Sequence, residues 1–258
     1  MEVVGLQFDI AWENKDANFK TVRRMLTEAA PETNSVVVLP EMFATGFSMN
    51  VEAVAESSGG ETEKFLSATA REFEVCLIGG AAMQGKDGRA RNKALVFSAT
   101  GELLAFYAKM QPFAPGGEAE HYIAGERPVI FRWENAVVSP FVCYDLRFPE
   151  IFREVAATHR PELFVVIASW PEKRIAHWST LLKARAIENQ AYVIAVNRTG
   201  KDPYYAYNGQ SQIVDPHGEV LANAGDGEGC IRARLDLNNL RKYREGLPFL
   251  NDIRAIRK

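Results

Sequence analysis

The sequence has few cysteines, no long apolar run and no excess of basic charge. Its 258 residues include three cysteines, Cys76, Cys143 and Cys230, with no Cys-x-x-Cys pair, so neither a disulfide framework nor a zinc knuckle is expected. No apolar run approaches the roughly 18 residues that cross a bilayer. Thirty basic against 33 acidic side chains give a formal net charge of -3, which offers no electrostatic footprint for nucleic acid or an anionic membrane.

The first residues also lack the basic start and the long apolar stretch of a secretory signal. Together with the unpaired cysteines, this predicts a cytoplasmic protein with neither nucleic acid nor a membrane as partner. The composition, 47% hydrophobic and 24% charged, is typical of a globular protein with a substantial core. Because no repeat, low-complexity segment or long linker interrupts the chain, residues 1–258 are expected to form a single domain.

Strand-like and helix-like segments alternate along the chain, which predicts an α/β fold with a parallel βαβ arrangement. A hairpin with glycine in its turn, Ser-Ala-Thr-Gly-Glu, adds antiparallel strands, so the sheets should be mixed. The second glycine pair, Gly79-Gly80, is expected to end a strand. The predicted strands are 3–8, 35–39, 75–78, 94–97, 103–107, 137–142, 163–168, 191–196, 210–214, 220–222 and 231–235, and the predicted helices are 19–29, 61–73, 148–157, 177–189 and the tail.

Three chemically reactive residues follow three of the predicted strands. Glu41 comes one proline after the strand 35–39, Lys109 follows the run 103–108, and Cys143 directly follows the strand 137–142. Ligands of such folds bind outside the carboxyl ends of the strands, so residues at these ends can converge although they are far apart in sequence. We therefore expect Glu41, Lys109 and Cys143 to meet in one site.

These three side chains would together make a nucleophilic catalyst. Lys109 would favour the thiolate of Cys143 while Glu41 accepts its proton. The step from Cys143 into Tyr144 resembles a strand-to-helix elbow, so the Tyr144 N–H is the candidate donor to an oxyanion. Attack on an amide would give a thioester, and Glu41 would then activate water. This chemistry requires no metal and no cofactor.

Each residue taken alone has a simpler explanation. A lone cysteine is more often a small core residue than a nucleophile. A lysine at a hairpin end usually lies in solvent, and a glutamate after Leu-Pro is usually an ordinary loop carboxylate. The catalytic interpretation therefore depends on the three residues occurring together.

At these residues the sequence resembles the nitrilase, or carbon–nitrogen hydrolase, superfamily. The resemblance covers nearly the whole chain, and the motifs occur in the family's order and spacing, which makes it far more specific than any one short pattern. The motifs are Leu39-Pro40-Glu41-Met42-Phe43, Tyr107-Ala108-Lys109, Val142-Cys143-Tyr144-Asp145-Leu146-Arg147-Phe148-Pro149-Glu150 and Arg185-Ala186-Ile187-Glu188-Asn189-Gln190-Ala191-Tyr192-Val193.

The resemblance implies a four-layer α-β-β-α sandwich with mixed sheets, commonly paired into a homodimer through a helical face. For this face we expect the helix 177–189 with Arg185 and Glu188. It also implies that Glu41, Lys109 and Cys143 form a catalytic triad. A further family glutamate, which positions substrate or the lysine, matches Glu118, with Glu120 as a weaker competitor.

The branch that the sequence resembles most is that of the omega-amidases, which hydrolyse the terminal amide of 2-oxoglutaramate and 2-oxosuccinamate. The segments Cys-Tyr-Asp-Leu-Arg-Phe-Pro and Ala-Ser-Trp-Pro carry this resemblance. It implies a small dicarboxylate monoamide as substrate. One departure is Gln111-Pro112-Phe113, where many relatives have His-Leu-Phe; this change affects the expected acyl specificity rather than the triad.

Four residues beside the motifs are candidates for binding substrate. Phe43, Tyr144 and Trp170 are aromatic and could line a small pocket, although core packing would use them equally well. Arg147 could meet the substrate carboxylate, because burying that anion is costly without a cation or several N–H donors. The alternative for Arg147 is a structural ion pair with Asp145 or Glu150.

Three other functions are compatible with the sequence. The nearest is hydrolysis of a nitrile or an N-carbamoyl compound, since these reactions use the same triad within the superfamily. A different enzyme class would pair Cys143 with His121 or His177, as in Cys-His proteases. A third possibility is a non-enzymatic binding protein on the same scaffold, which gives no reason to keep all three reactive residues.

Overall fold

The computed structural model describes residues 1–254, and its strands form two six-stranded sheets and one small hairpin. The strands are β1 (Glu2–Gln7), β2 (Val36–Val38), β3 (Cys76–Gln84), β4 (Ala90–Phe97), β5 (Leu103–Ala108), β6 (Phe131–Trp133), β7 (Ala136–Val142), β8 (Leu163–Ala168), β9 (Tyr192–Asn197), β10 (Thr199–Lys201), β11 (Ala206–Asn208), β12 (Gln212–Val214), β13 (Val220–Asn223) and β14 (Gly229–Arg234). The helices are α1 (Lys15–Ala29), α2 (Val51–Val54), α3 (Glu61–Glu72), α4 (Glu118–His121), α5 (Pro149–His159), α6 (Ile175–Asn189) and α7 (Leu237–Gly246).

Both large sheets mix parallel and antiparallel pairs, as predicted. The first has the order β14-β1-β2-β3-β4-β5, with β1, β2 and β3 parallel and the other pairs antiparallel. The second has the order β13-β12-β9-β8-β7-β6, with β7, β8 and β9 parallel. Since β4 runs antiparallel to both of its neighbours, β5 points the same way as β3.

The two sheets pack face to face through one apolar core. Alternation along β2 separates its two faces: Val36 and Val38 join the core that also contains Val142 and Val165 of the second sheet. Val37, between them, faces a different cluster. This period of two is what a strand with one inner and one outer face requires.

Helices cover the outer faces of the sheets. Residues of α1 and α3, including Leu26 and Leu66, pack on the outer face of the first sheet. On the second sheet, α5 and α6 contribute buried apolar residues, including Phe152 and Leu182. The mixed α/β class is confirmed, and the packing is consistent with the α-β-β-α layering that the sequence implied.

One strand boundary was predicted wrongly. Gly79-Gly80 does not end a strand, because β3 continues through both glycines, which pair with Leu95 and Ala94 of β4. Gly80 instead allows the backbone of residues 41 and 42 to lie close to β3. A Cβ built at Gly80 would lie 2.4 Å from the Met42 backbone nitrogen and 2.7 Å from the Glu41 Cα. Glycine at this position lets the backbone that carries Glu41 lie directly against β3.

The remaining predicted elements are present with small shifts at their ends, as helix boundaries commonly show. The helix predicted from His177 begins at Ile175, and the predicted helical tail is α7, while residues 255–258 lie outside the described part. No sequence pattern predicted the hairpin of β10 and β11. Over residues 1–254, no helix combines the length and the apolar character that crossing a membrane requires.

Candidate active site

The predicted site residues meet at one edge of the two sheets. Glu41 follows β2, Lys109 follows β5 and Cys143 follows β7, so each stands beyond the carboxyl end of its strand. β2 and β5 point in the same direction within the first sheet, and β7 belongs to the second sheet. The loops that leave these three strands converge where the two sheets face each other. Ser169, which follows β8, joins them by donating its N–H to Glu41 Oε2 at 2.7 Å.

The Lys109 ammonium lies between two buried carboxylates. Its Nζ is 2.9 Å from Glu41 Oε1 and 2.7 Å from Glu118 Oε2. All three side chains are at most 1% exposed, whereas Glu120 is exposed and makes no such contact. The geometry therefore favours Glu118 over Glu120 as the second glutamate of the site.

Lys109 keeps its positive charge in this position. Burial alone would lower its pKa, but the charges of Glu118 and Glu41 outweigh that effect and raise the pKa above its usual range. A permanently charged, dehydrated ammonium stabilises a negative charge that forms beside it more strongly than a solvated one does.

Asn92 is a member of this cluster that the sequence prediction missed. Its Nδ2 donates to Glu41 Oε1 at 2.7 Å and to Glu118 Oε1 at 2.8 Å, so one amide joins the two carboxylates. Its backbone carbonyl accepts from the Lys109 N–H at 2.9 Å. A signal for it was present: Asn92 alternates with Ala94 and Val96 on the buried face of β4, where a polar side chain requires a partner.

Cys143 stands at a sharp turn. Its φ is +47°, a left-handed value that is rare for a residue other than glycine, and a short 3-10 helix over Cys143–Arg147 begins there. The N–H groups in the first turn of such a helix have no acceptor within it, which leaves the Tyr144 N–H available to an oxyanion. Burial and the charge of Glu41 raise the pKa of the thiol well above its usual range, so it is protonated at neutral pH.

Asp145 links the segment that carries Cys143 to the segment that carries Lys109. Its carboxyl accepts from the Tyr107 hydroxyl at 2.8 Å and from the N–H groups of Gln111 and Val142, both at 2.9 Å. Tyr107 and Gln111 flank Lys109 by two residues on either side. Burial raises the pKa of Asp145 to about 7, although these hydrogen bonds and Lys109 act to lower it.

A cleft opens onto Cys143 and Lys109. Its wall includes two of the predicted aromatic residues, Tyr144 and Trp170, and the remaining aromatic side chains are Phe47, Phe113, Tyr205 and Tyr207. The prediction that Phe43 lines the cleft is wrong. Its side chain is fully buried against Phe19 and Phe65, under the helices of the first sheet. Phe47, whose ring lies 5.1 Å from the Lys109 Nζ, occupies the cleft instead.

The structural ion pair of Arg147 with Asp145 or Glu150 does not form. Asp145 uses its oxygens for other donors, and no carboxylate of residues 1–254 lies within 4.0 Å of the Arg147 guanidinium. Arg147 lies 4.7 Å from the centre of the Trp170 ring and 3.2 Å from His177 Nδ1. Burial and the neighbouring charge of Arg174 lower its pKa, though not enough to remove its charge.

Comparison with known proteins decides the family. The carbon-nitrogen hydrolase family model matches residues 3–245. The chain belongs to the carbon–nitrogen hydrolase family. The superfamily that the motifs resembled is thereby confirmed, and the chain is a hydrolase that acts on carbon–nitrogen bonds.

Individual relatives of this carbon–nitrogen hydrolase match over almost its full length. A 2-oxoglutaramate amidase of Bacillus subtilis is 34% identical over 250 residues, 96% of each chain. An omega-amidase of Escherichia coli is 36% identical over 255 residues, 98% of this chain and 96% of the relative. A solved CN-hydrolase superfamily protein from Xanthomonas campestris superposes with a TM-score of 0.93 at 30% identity, covering 100% of this chain and 98% of that one.

The histidines of this hydrolase do not support a Cys-His pair. None of the described residues that line the cleft is a histidine. His121 and His177 are exposed, and the ring of His177 contacts Arg147. The arrangement around Cys143 therefore consists of carboxylates and an ammonium, without an imidazole.

Proposed function

We propose that this protein is a cysteine-dependent amidase that cleaves the terminal amide of small dicarboxylate monoamides, such as 2-oxoglutaramate or succinamate. One observation carries the proposal: the wall of the cleft contains a thiol, a buried ammonium and the guanidinium of Arg147, and none of the described residues in it is a carboxylate. Such a cleft favours an anionic substrate at the point where a nucleophile is available. The printed names of the relatives, 2-oxoglutaramate amidase and omega-amidase, agree with this substrate class.

Acylation begins with transfer of the Cys143 proton to Glu41. The thiol is neutral in the free protein, so the base must act as the thiol attacks the amide carbon. The oxyanion that forms is met by the Lys109 ammonium and the Tyr144 N–H. When the tetrahedral intermediate collapses, the carbon–nitrogen bond breaks and Glu41 donates its proton to the leaving nitrogen, which departs as ammonia.

Deacylation uses the same groups in reverse order. Glu41, again a carboxylate, removes a proton from water, and the resulting hydroxide attacks the thioester carbon. The second oxyanion occupies the same position beside Lys109. Its collapse breaks the carbon–sulfur bond, releases the acid and returns a proton to Cys143 from Glu41.

Glu118 and Asn92 are positioning residues in this proposal. Glu118 accepts from Lys109, Asn92 and the Phe113 N–H, which together hold its carboxylate in place. Through these contacts it fixes the Lys109 ammonium without needing to contact substrate. Asn92 holds the two carboxylates in place around that ammonium.

The substrate carboxylate would bind at Arg147. Its guanidinium packs over the Trp170 ring, and within residues 1–254 only one of its nitrogens makes a hydrogen bond, to His177. Donors without a protein acceptor at the wall of a cleft are suited to an anion, because a carboxylate accepts two of them side by side. Tyr144 and Trp170 would line the short aliphatic part of the substrate.

A substrate comparison tests the proposal. Succinamate, butyramide and butyronitrile have the same number of carbons but differ in the carboxylate or in the reacting group. We expect kcat/KM for succinamate to exceed that for butyramide by about a hundredfold or more, because charged hydrogen bonds contribute roughly 1.5–3 kcal/mol each. Ammonia release measured under identical conditions gives the three values.

Each other outcome of this comparison points to a different function. Equal rates on the two amides would contradict the carboxylate preference and leave a general amidase. A preference for butyronitrile would indicate a nitrilase, and activity confined to N-carbamoyl compounds would indicate that branch. No hydrolysis of any of these compounds would favour a binding protein on this scaffold.

We also propose that two copies associate as a homodimer through the exposed side of α6. The prediction that Arg185 lies at this interface is wrong. Its side chain is buried and donates to the Leu146 carbonyl at 2.7 Å and to Glu188. Ile187, on the opposite side, is 46% exposed, and apolar side chains exposed on a surface helix favour association.

Sedimentation tests the dimer with Ile187→Asp as the variant. The wild-type protein is expected to sediment as a dimer at micromolar concentration, and the aspartate should shift it toward monomer because a charge would be buried in the interface. The melting temperature of Ile187→Asp, compared with that of the wild type, is the control for helix stability. A wild-type protein that remains monomeric under these conditions contradicts the dimer.

Two broader expectations remain proposals. A single domain over residues 1–258 is supported by the shared core between the two sheets. A cytoplasmic location is supported by three free thiols, Cys76, Cys143 and Cys230, since cysteines without a disulfide partner suit a reducing compartment.

A further inference from the structure

We infer that Asp145 is a positioning residue: by binding two segments of the chain at once, it sets where the Cys143 thiol lies relative to the Lys109 ammonium. The inference rests on the proposed amidase function, because it concerns the geometry of the attack that this function requires. Asp145 is fully buried and does not line the cleft, so it acts through these two residues and without contact to the substrate.

Asp145 closes the turn that carries the thiol. The φ of Cys143 is +47°, a strained value for a residue with a side chain, and such a value persists only where the surroundings hold it. Asp145 Oδ2 accepts from the N–H of Val142, the last residue of β7, at 2.9 Å. This bond fastens the turn to the end of its strand and fixes the direction in which the Cys143 side chain leaves the backbone.

The same carboxylate binds the lysine segment, residues 107–113, on both sides of Lys109. Oδ2 accepts from the Tyr107 hydroxyl at 2.8 Å, and Oδ1 accepts from the Gln111 N–H at 2.9 Å. Burial and the charge of Asp145 raise the pKa of Tyr107 well above its usual range, so the hydroxyl keeps the proton that it donates. The backbone from which the lysine extends is therefore held two residues before it and two residues after it.

Asp145 provides the hydrogen bonds between the two segments. Within residues 1–254, its two bonds to the lysine segment are the only hydrogen bonds that join residues 107–113 to the turn 143–147. The ammonium is held by Glu41 and Glu118, and neither of them belongs to that turn. The fit between thiol and ammonium, which attack with a developing oxyanion requires, therefore depends on this one carboxylate.

Asp145→Asn breaks the link in either orientation of its amide. With the oxygen in the place of Oδ2, the side chain still accepts from Val142 and Tyr107, but its NH2 group faces the Gln111 N–H. With the amide turned over, the oxygen accepts from Gln111 and the NH2 group faces the Val142 N–H. Two donors oppose each other in both cases, so one of the two segments is released.

We expect Asp145→Asn to lower kcat for succinamate on the order of a hundredfold with little change in KM, the loss that a displacement of about 1 Å can cause. Tyr107→Phe removes one bond without changing any charge and should lower kcat by about tenfold. Because both variants break the same link, the double variant should lose much less than the product of the two factors. Burial raises the pKa of Asp145 to about 7, so kcat is measured well above that pH, where the wild-type side chain is ionised.

Glu162→Gln is the matched control. Glu162 is also a buried carboxylate, and it accepts from the Val137 N–H at 2.8 Å near the start of β7, the strand whose other end leads to the thiol. Five residues of strand, roughly 17 Å, separate this bond from the turn. The variant should lower the melting temperature because a buried hydrogen bond is weakened, and it should leave kcat within about twofold.

Wild-type kcat in Asp145→Asn would overturn the inference. So would a Tyr107→Phe variant with wild-type kcat, because charge alone would then explain the effect at Asp145; this variant decides the result even if Asp145→Asn does not fold. An equal loss of kcat in Glu162→Gln would also overturn it, since any weakening of β7 would then suffice. Failure of the amidase proposal looks different: the wild-type protein would release ammonia from none of the amides.

Discussion

Replacing Cys143 with alanine is expected to lower kcat for succinamate by roughly four orders of magnitude or more, because the proposed reaction passes through a thioester that only this sulfur can form. The fold should persist, since Cys143 is 8% exposed at the wall of a cleft and alanine leaves only a small gap. Ammonia release and the melting temperature, measured on the same preparation, check both parts of the expectation.

The other two cysteines provide matched controls. Cys230→Ala changes an exposed thiol on β14, and Cys76→Ala changes a thiol that is fully buried between the sheets. Both should retain turnover, while Cys76→Ala should reduce stability because it opens a cavity in the core. An active Cys143→Ala protein, or an inactive Cys230→Ala protein that is still folded, would contradict the assignment of the nucleophile.

Glu41→Gln should lower kcat by about a hundredfold or more, equivalent to about 2.7 kcal/mol in the barrier, because the buried thiol loses its base. The side chain keeps its shape, and one of its atoms still accepts from Lys109 and Asn92. The other would present an N–H to the N–H of Ser169, which donates to Glu41 Oε2 in the wild type. A modest loss of stability should therefore accompany the loss of turnover.

Glu120→Gln is the control for this change. It alters charge by the same amount on the exposed side of α4, away from Lys109, and should leave kcat within about twofold. The base assignment would fail if Glu41→Gln kept wild-type kcat with a normal melting transition. It would also fail if both variants lost activity equally.

The sequence predicted the convergence of Glu41, Lys109 and Cys143 because each follows an apolar strand, and strand direction alone brings such residues to one edge. What it could not predict was how the cluster is held. Asn92 lies two residues before the strand that the pattern suggested, and its role depends on the pairing of β4 with both β3 and β5. Such a role is visible only once the neighbouring strands are in register.

The errors of the sequence prediction have a common physical origin. A local sequence pattern does not reveal which way a side chain points or which segment the backbone contacts. Phe43 stands beside Glu41 in the chain, yet its side chain points to the outer helices while Phe47 turns into the cleft. Gly79-Gly80 suggested a strand end because glycine commonly breaks strands. Its actual role is to let the backbone of Glu41 lie against β3, a tertiary contact that overrides the local preference.

The wall of the cleft shows the same limit. Tyr144 and Trp170 were predicted for its wall and are found there, because both are adjacent to residues that the strand ends fix in place. Arg174 and Tyr205 reach the same wall from segments with no motif and no periodic pattern. The β10–β11 hairpin, whose strands each have three residues, is too short to give a clear period of two.

The central claim is that catalysis proceeds through a covalent acyl group on Cys143, and trapping that group tests it most directly. The wild-type protein would be mixed with saturating succinamate, quenched in acid within the first turnovers, digested and analysed by mass spectrometry. The account predicts that the peptide containing Cys143 gains the mass of a succinyl group, that hydroxylamine removes it, and that the peptides with Cys76 and Cys230 are unchanged. An unmodified Cys143 peptide during active turnover, or a succinyl group found on another residue, would contradict it.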